Sequence, residues 1–142
     1  MSKRNLISFV SAAVVVLIAL IIGLYPSDKG PVICDMNKDG YCTEAGITFS
    51  IEPVPVFAMK ENVFRATFAE PSIVPENTDL ALHLTMPGME MGTNRFRLKR
   101  IGPGSFSGKG VIPRCPSGKT LWRASILDIS ARELASFDFD VK

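Results

Sequence analysis

Most of the chain after residue 46 consists of short runs in which apolar and polar residues alternate. Alternation with a period of two places every second side chain on one face of a strand. In the run 80–86, four apolar residues would share one face, and His83 and Thr85 would share the other. Proline and glycine separate most of the runs, as expected for turns. Seven runs predict strands: Ile47–Ile51, Val63–Phe68, Leu80–Met86, Arg95–Ile101, Ser105–Ile112, Leu121–Ile129 and Ala135–Val141.

Seven short strands in about 100 residues are typical of an immunoglobulin-like sandwich. Trp122, in the sixth run, is a natural core residue between two such sheets. A small barrel is the main alternative arrangement. We therefore predict an all-β domain over residues 47–142, built as a seven-stranded antiparallel immunoglobulin-like sandwich.

A different pattern occupies residues 1–25, of which 18 are apolar. The 20 residues from Leu6 to Tyr25 carry no charge, and as a helix they would match the roughly 30 Å hydrocarbon core of a bilayer. Lys3 and Arg4 precede them, which predicts a cytoplasmic N-terminus and an external domain. We predict one N-terminal transmembrane helix, retained as an anchor in a bacterial inner membrane, with a periplasmic domain. A cleaved signal peptide is the alternative and gives the same extracytoplasmic location.

The charges follow the same division of the chain. Lys3 and Arg4 account for the whole net charge of +2, because residues 26–142 contain 14 basic and 14 acidic residues. Nucleic-acid binding depends on a basic surface, so we expect no nucleic-acid partner.

Enzymatic motifs are missing from the sequence. It contains no serine–histidine–acid set with a suitable turn, no phosphate-binding glycine loop and no suggestive carboxylate pair. Because His83 is the only histidine, a blue-copper centre is excluded, and catalytic zinc is poorly supported because the His₃ and His₂Glu ligand sets cannot be assembled. We therefore predict that the protein is not an enzyme.

Residues 26–46 resemble a linker that contains a cysteine loop. In an oxidising compartment, Cys34 and Cys42 are close enough in sequence to form a disulfide. Between them, Asp35, Asn37 and Asp39 match the first half of a calcium loop, although position 12 is Gly46 instead of glutamate. The segment therefore predicts either a weak calcium site or a turn rich in Asp and Asn that the disulfide closes.

The most informative segment for chemistry surrounds the Pro87-Gly88 turn. Met86, Met89 and Met91 lie within six residues there, and thioether sulfur is a soft ligand that suits Cu(I). We interpret the three methionines as candidate copper ligands. The alternative is that Met86 ends the core face of its strand while the other two cover one end of the sandwich.

Two further residues are candidate ligands for the same ion. Cys115 lies in a second turn, and loops at one end of a sandwich can converge, so its thiolate could strengthen a Cu(I) site. Otherwise it is a buried or oxidisable free thiol. His83 faces away from Met86 on a regular strand, and it would join the site only if a twist or bulge redirected it.

These motifs carry a family resemblance over residues 47–141. The segments concerned are Met86–Gly92, Asn94–Phe96 and Gly108–Pro113, followed by Cys115, Ser117, Gly118 and Trp122. Together they resemble the small membrane-anchored FixH/YtkA-like proteins of bacteria. The resemblance implies an immunoglobulin-like extracytoplasmic domain linked to copper handling or haem–copper oxidase assembly. It implies Met86, Met89, Met91 and Cys115 as ligands. This chain lacks the histidine-rich turn that some of these proteins carry, and the histidine pairs of periplasmic copper chaperones for cytochrome oxidase.

The sequence thus predicts a membrane-anchored Cu(I)-binding protein that buffers copper or delivers it to a membrane oxidase or another receiving protein. One alternative is an interaction module that holds a membrane complex together without metal, because methionine surfaces also suit adaptable protein contacts. A calcium-stabilised adhesion domain is a third reading of the same sequence.

Overall fold

The computed structural model describes residues 32–76, 78–89 and 92–142, and this part of the chain is all-β, as the alternating pattern predicts. A single 3-10 turn at Pro71–Ile73 is the one helical element in these residues. The nine strands are β1 (Val32–Cys34), β2 (Tyr41–Glu44), β3 (Ile47–Glu52), β4 (Glu61–Phe68), β5 (Leu80–Thr85), β6 (Arg95–Gly102), β7 (Ser105–Val111), β8 (Leu121–Leu127) and β9 (Glu133–Asp140).

The strands form one mixed sheet in the order β1-β9-β8-β5-β6-β7-β4-β3-β2. Only β1 and β9 pair in parallel; the other neighbours are antiparallel. The sheet folds over at β6, because Arg95–Leu98 pairs with β5 while Lys99–Gly102 pairs with β7. A strand that changes sheets in this way forms a corner between two packed layers.

Glycines in β7 make room for this corner. A Cβ atom at Gly108 would collide with the carbonyl oxygen of Arg97, and one at Gly110 would collide with the ring of Phe96. Both contacts involve β6, so the absence of side chains at these two positions allows β6 to cross close to β7.

The predicted fold is wrong in its strand count and its connectivity. All seven predicted strands are present, but β1 and β2 add to them, and the sheet is mixed and continuous instead of a seven-stranded antiparallel sandwich. Both extra strands lie in the segment 26–46, which the sequence suggests is a linker. They are three and four residues long, too short for alternation to be recognised, and parallel pairing between distant segments leaves no local signal.

The two edge strands of the sheet are joined covalently. β1 and β2 stand at opposite ends of the strand order, and a disulfide connects Cys34 of β1 with Cys42 of β2. β2 also approaches β9, the partner of β1. The sheet is therefore nearly closed, and the disulfide lies across its seam.

The hydrophobic core lies between the two layers that the folded sheet creates. The rings of Phe49 in β3 and Phe137 in β9 stack across the layers with their centroids 5.3 Å apart. Trp122 is buried as predicted. The inward faces that alternation predicts are also buried, including Ile47, Phe49, Ile51, Phe64, Ala66, Phe68, Leu80, Leu82, Leu84, Met86 and Leu98.

No helix among the described residues is long and apolar enough to cross a membrane. The predicted span at residues 6–25 lies outside the described part of the chain.

Candidate metal centre

Two turns meet at one end of the sheet because β5 and β8 are antiparallel neighbours. Thr85, the last residue of β5, pairs with Arg123 near the start of β8. The turn that follows β5 therefore lies at the same end as the loop that leads into β8. This loop, residues 112–120, contains Cys115.

The first turn brings Met86 and Met89 together. The two residues form an isolated antiparallel bridge, in which the Met89 amide donates to the Met86 carbonyl at 3.1 Å. Gly88 adopts a φ of 75°, which glycine tolerates without strain. Because directly paired residues project to the same side of a ladder, the two thioethers share one side. Met86 is 2% exposed, and the half-buried Met89 packs against the same core.

The second turn brings Cys115 to Met89. The Cys115 sulfur lies 4.0 Å from the Met89 sulfur, although the residues are 26 positions apart. Ser117 lies beside both sulfurs, with its hydroxyl oxygen 3.0 Å from the Cys115 sulfur and 3.8 Å from the Met89 sulfur. Cys115 is 4% exposed and is the one free cysteine in the described residues. The two turns thus form a small cluster of soft sulfur ligands.

The surroundings of Cys115 favour its thiolate form. The hydrogen bond with the Ser117 side chain is the main cause that lowers the pKa of the thiol below its ordinary value. Burial opposes this effect, whereas the Ser117 and Lys119 amides and the positive charge of Lys119 add to it. Cys115 therefore loses its proton more readily than an ordinary cysteine, and the thiolate is the form that binds metals and attacks disulfides.

Replacing Ser117 with alanine is expected to raise the pKa of Cys115 toward its ordinary value, because the hydroxyl that stabilises the thiolate is lost. In the variant, the rate at which iodoacetamide alkylates Cys115 would then begin to rise only at a higher pH than it does in the parent chain. Ser117→Thr keeps a hydroxyl and should keep the lowered pKa. An unchanged pH profile in Ser117→Ala would contradict the assigned role of Ser117.

The other predicted copper ligands are placed differently. Met91 lies outside the described residues, so its role stays a prediction. His83 lies in the regular part of β5, where it pairs with Arg95 and Ser125. It belongs to the outer face, opposite the buried side chains of Leu82 and Leu84. The structure thus does not bring His83 to the sulfur cluster.

The predicted calcium loop forms a compact turn in which Asn37 has other partners. Its side-chain oxygen accepts from the Val56 amide at 3.0 Å, and its side-chain nitrogen donates to the Asp140 carbonyl at 2.9 Å. The amides of Lys38 and Asp39 both donate to the Asp35 carbonyl. Among the described residues, no group of three or more His, Cys, Asp or Glu side chains is placed to hold a metal ion. The Asn37 amide therefore ties the turn to the rest of the domain.

Ser117 and Lys119 are members of the candidate site whose effect on Cys115 the sequence alone did not reveal. They lie in the same turn as Cys115, but small polar and basic residues are common in turns. Only the folded position of Cys115 shows that both residues lower its pKa.

No family model matches the chain, and neither a curated protein nor a solved structure matches it. The resemblance to the FixH/YtkA-like group therefore stays a prediction.

Proposed function

We propose that this protein binds one Cu(I) ion through the sulfurs of Cys115 and Met89, with Met86 as a third ligand, and that it buffers or delivers copper outside the cytoplasm. The observation that carries the proposal is the 4.0 Å separation between the Cys115 and Met89 sulfurs. These atoms come from two turns that only the fold brings together.

The separation suits a three-coordinate ion. Two metal–sulfur bonds of about 2.3 Å that meet at about 120° place their sulfurs about 4.0 Å apart. An ion in this position would need only small side-chain rotations. Met86 is the natural third ligand because its bridge with Met89 places both side chains on the same side of the turn.

The ligand chemistry favours Cu(I) over harder ions. Thiolate and thioether donors are soft, and thioethers add no charge. The site contains one group that ionises, Cys115, so the bound unit would be neutral overall. Binding transfers the thiol proton to solvent, and the lowered pKa of Cys115 makes this loss easier near neutral pH.

The position of the cluster suits exchange of the ion with a partner. Met89 is half-buried, whereas Met86 and Cys115 are buried. An incoming ligand can therefore approach from the Met89 side and replace one thioether while the thiolate still holds the ion. A domain that retained the apolar segment 6–25 as an anchor would present this end to a membrane oxidase or another copper-receiving protein.

Replacing both Met86 and Met89 with leucine is expected to weaken Cu(I) binding at least about tenfold. Met-to-Leu changes nearly conserve volume, so the fold should remain. The measurement is a competition titration of the purified chain, kept anaerobic with ascorbate, against a chromophoric Cu(I) chelator. Met59→Leu is the matched control, because Met59 is 64% exposed and is not among the proposed ligands.

Equal affinities in the parent chain and the double variant would exclude the methionine ligands. If the parent chain itself failed to compete for Cu(I), the copper function would be excluded. The alternative function, an interaction module that holds a membrane complex together without metal, would then remain. For that function, we expect the protein to co-purify with a membrane complex in the absence of copper.

A further inference from the structure

A cleft of about 250 Å³ is lined in part by Cys115, and neither Met86 nor Met89 lines it. Its walls include the buried side chains of Trp122 and Val141. Three basic residues also line it: Arg114, Lys119 and Lys142. The cleft is thus a small cavity with an apolar wall and a cationic rim, and Cys115 is one of its lining residues.

The basic residues that line the cleft form no salt bridge among the described residues, whose ion pairs involve other side chains. Thr120, another lining residue, donates a hydrogen bond to the Asp140 carboxylate at 2.9 Å. In the part of the chain that the structure describes, three basic side chains and no Asp or Glu side chain line the cleft, which favours an anionic occupant.

We propose that the cleft binds small anionic thiols, and that copper reaches Cys115 as a Cu(I) complex of such a thiol. The proposal rests on the copper function above and names the substrate class of the same site. Ligand sites for drug-sized molecules occupy about 300–1,000 Å³, so a cleft of about 250 Å³ fits a thiol with one or two carboxylates. The carboxylates would contact the cationic rim, and the sulfur would lie toward Cys115.

The transfer step is a ligand exchange without oxidation or reduction. A bond forms between copper and the Cys115 sulfur, and the bond between copper and the incoming thiol's sulfur breaks. The Cys115 thiol proton goes to the departing thiolate, and copper stays Cu(I) throughout. Met89, whose sulfur lies 4.0 Å from that of Cys115, then completes the coordination.

Disulfide exchange tests the charge preference of the cleft without copper. The full chain, with its Cys34–Cys42 disulfide intact, is treated with the doubly anionic dithiobis(nitrobenzoate) and, separately, with neutral dipyridyl disulfide. The double variant Arg114→Gln/Lys119→Gln should react roughly three- to tenfold more slowly with the anionic reagent at low salt. Its rate with the neutral reagent reports any change in thiolate content, so the ratio of the two rates isolates the charge effect.

Lys99→Gln is the matched control, because Lys99 lies on β6 and does not line the cleft. Added salt should remove the preference of the parent chain for the anionic reagent, because salt screens the charges of the basic residues. The proposal would be overturned if the ratio of the rate with the anionic reagent to the rate with the neutral reagent were the same in the parent chain and the double variant. A Cys115 thiol that reacts with neither reagent would also overturn it, because the cleft would then admit no ligand.

A second measurement separates this proposal from the copper function. Cu(I) transfer from a mercaptosuccinate complex should slow in the double variant by a similar factor, while transfer from a mercaptoethanol complex should not change. Normal Cu(I) affinity without any charge preference would overturn the anionic-thiol proposal alone. A charge preference in disulfide exchange together with no Cu(I) binding would overturn the copper function and, with it, the assigned substrate.

Discussion

Replacing Cys115 with serine is expected to weaken Cu(I) binding by at least about a hundredfold. Loss of a group that only supports a ligand typically costs 10–100-fold in metal affinity, and Cys115 is the only anionic ligand that we assign. A serine hydroxyl is a hard, neutral donor near neutral pH and cannot replace a thiolate for this ion. Competition against a chromophoric Cu(I) chelator measures the change directly.

The control for this substitution is the stability of the fold. Serine is close in size to cysteine and can keep the contact with Ser117, so we expect the free energy of unfolding to change by about 1 kcal/mol or less. Retained Cu(I) affinity in a folded Cys115→Ser variant would show that the ion binds elsewhere. A comparable loss of affinity in Met59→Leu would show that the assay does not report on this site.

Removing the Cys34–Cys42 disulfide is the change with the largest expected effect on stability. The cysteines are eight positions apart, and the chain-entropy model assigns about 2–3 kcal/mol to a loop of this length. The double variant Cys34→Ser/Cys42→Ser also loses the covalent link across the seam between β1 and β2. Urea unfolding, followed by the fluorescence of the single tryptophan Trp122, measures the free energy of unfolding.

The same variant should retain Cu(I) binding while it is folded, because the seam does not include the turns that carry Met89 and Cys115. Chemical reduction of the parent chain should reproduce the destabilisation. An unfolding free energy equal to that of the parent chain would mean that the disulfide does not stabilise the closed sheet.

The sequence predicted the strands that have a strong local pattern. In β5 and β8, alternation identifies the inward side chains, such as Leu82 and Trp122, because burial on one face dictates the residue type. It did not predict how the strands connect, since pairing between distant segments leaves no local trace. The change of sheets in β6 and the short edge strand β1 are the clearest examples.

The sequence predicted the components of the candidate site and the possibility that its two loops converge, but not the distances between the side chains. The soft donors Met89 and Cys115 stand out in the sequence by their residue types and by their positions in turns. Their 4.0 Å contact follows from the antiparallel pairing of β5 with β8. Their shared contact with Ser117 is likewise a consequence of the folded turns, which a sequence pattern does not encode.

In the proposed site, sulfur atoms alone hold the Cu(I) ion. X-ray absorption at the copper edge of the Cu(I)-loaded chain identifies the ligand atoms, because it reports the nearest scatterers around the metal. We expect three sulfurs at about 2.3 Å from the copper. Nearest neighbours that are mainly nitrogen or oxygen would exclude the proposed site.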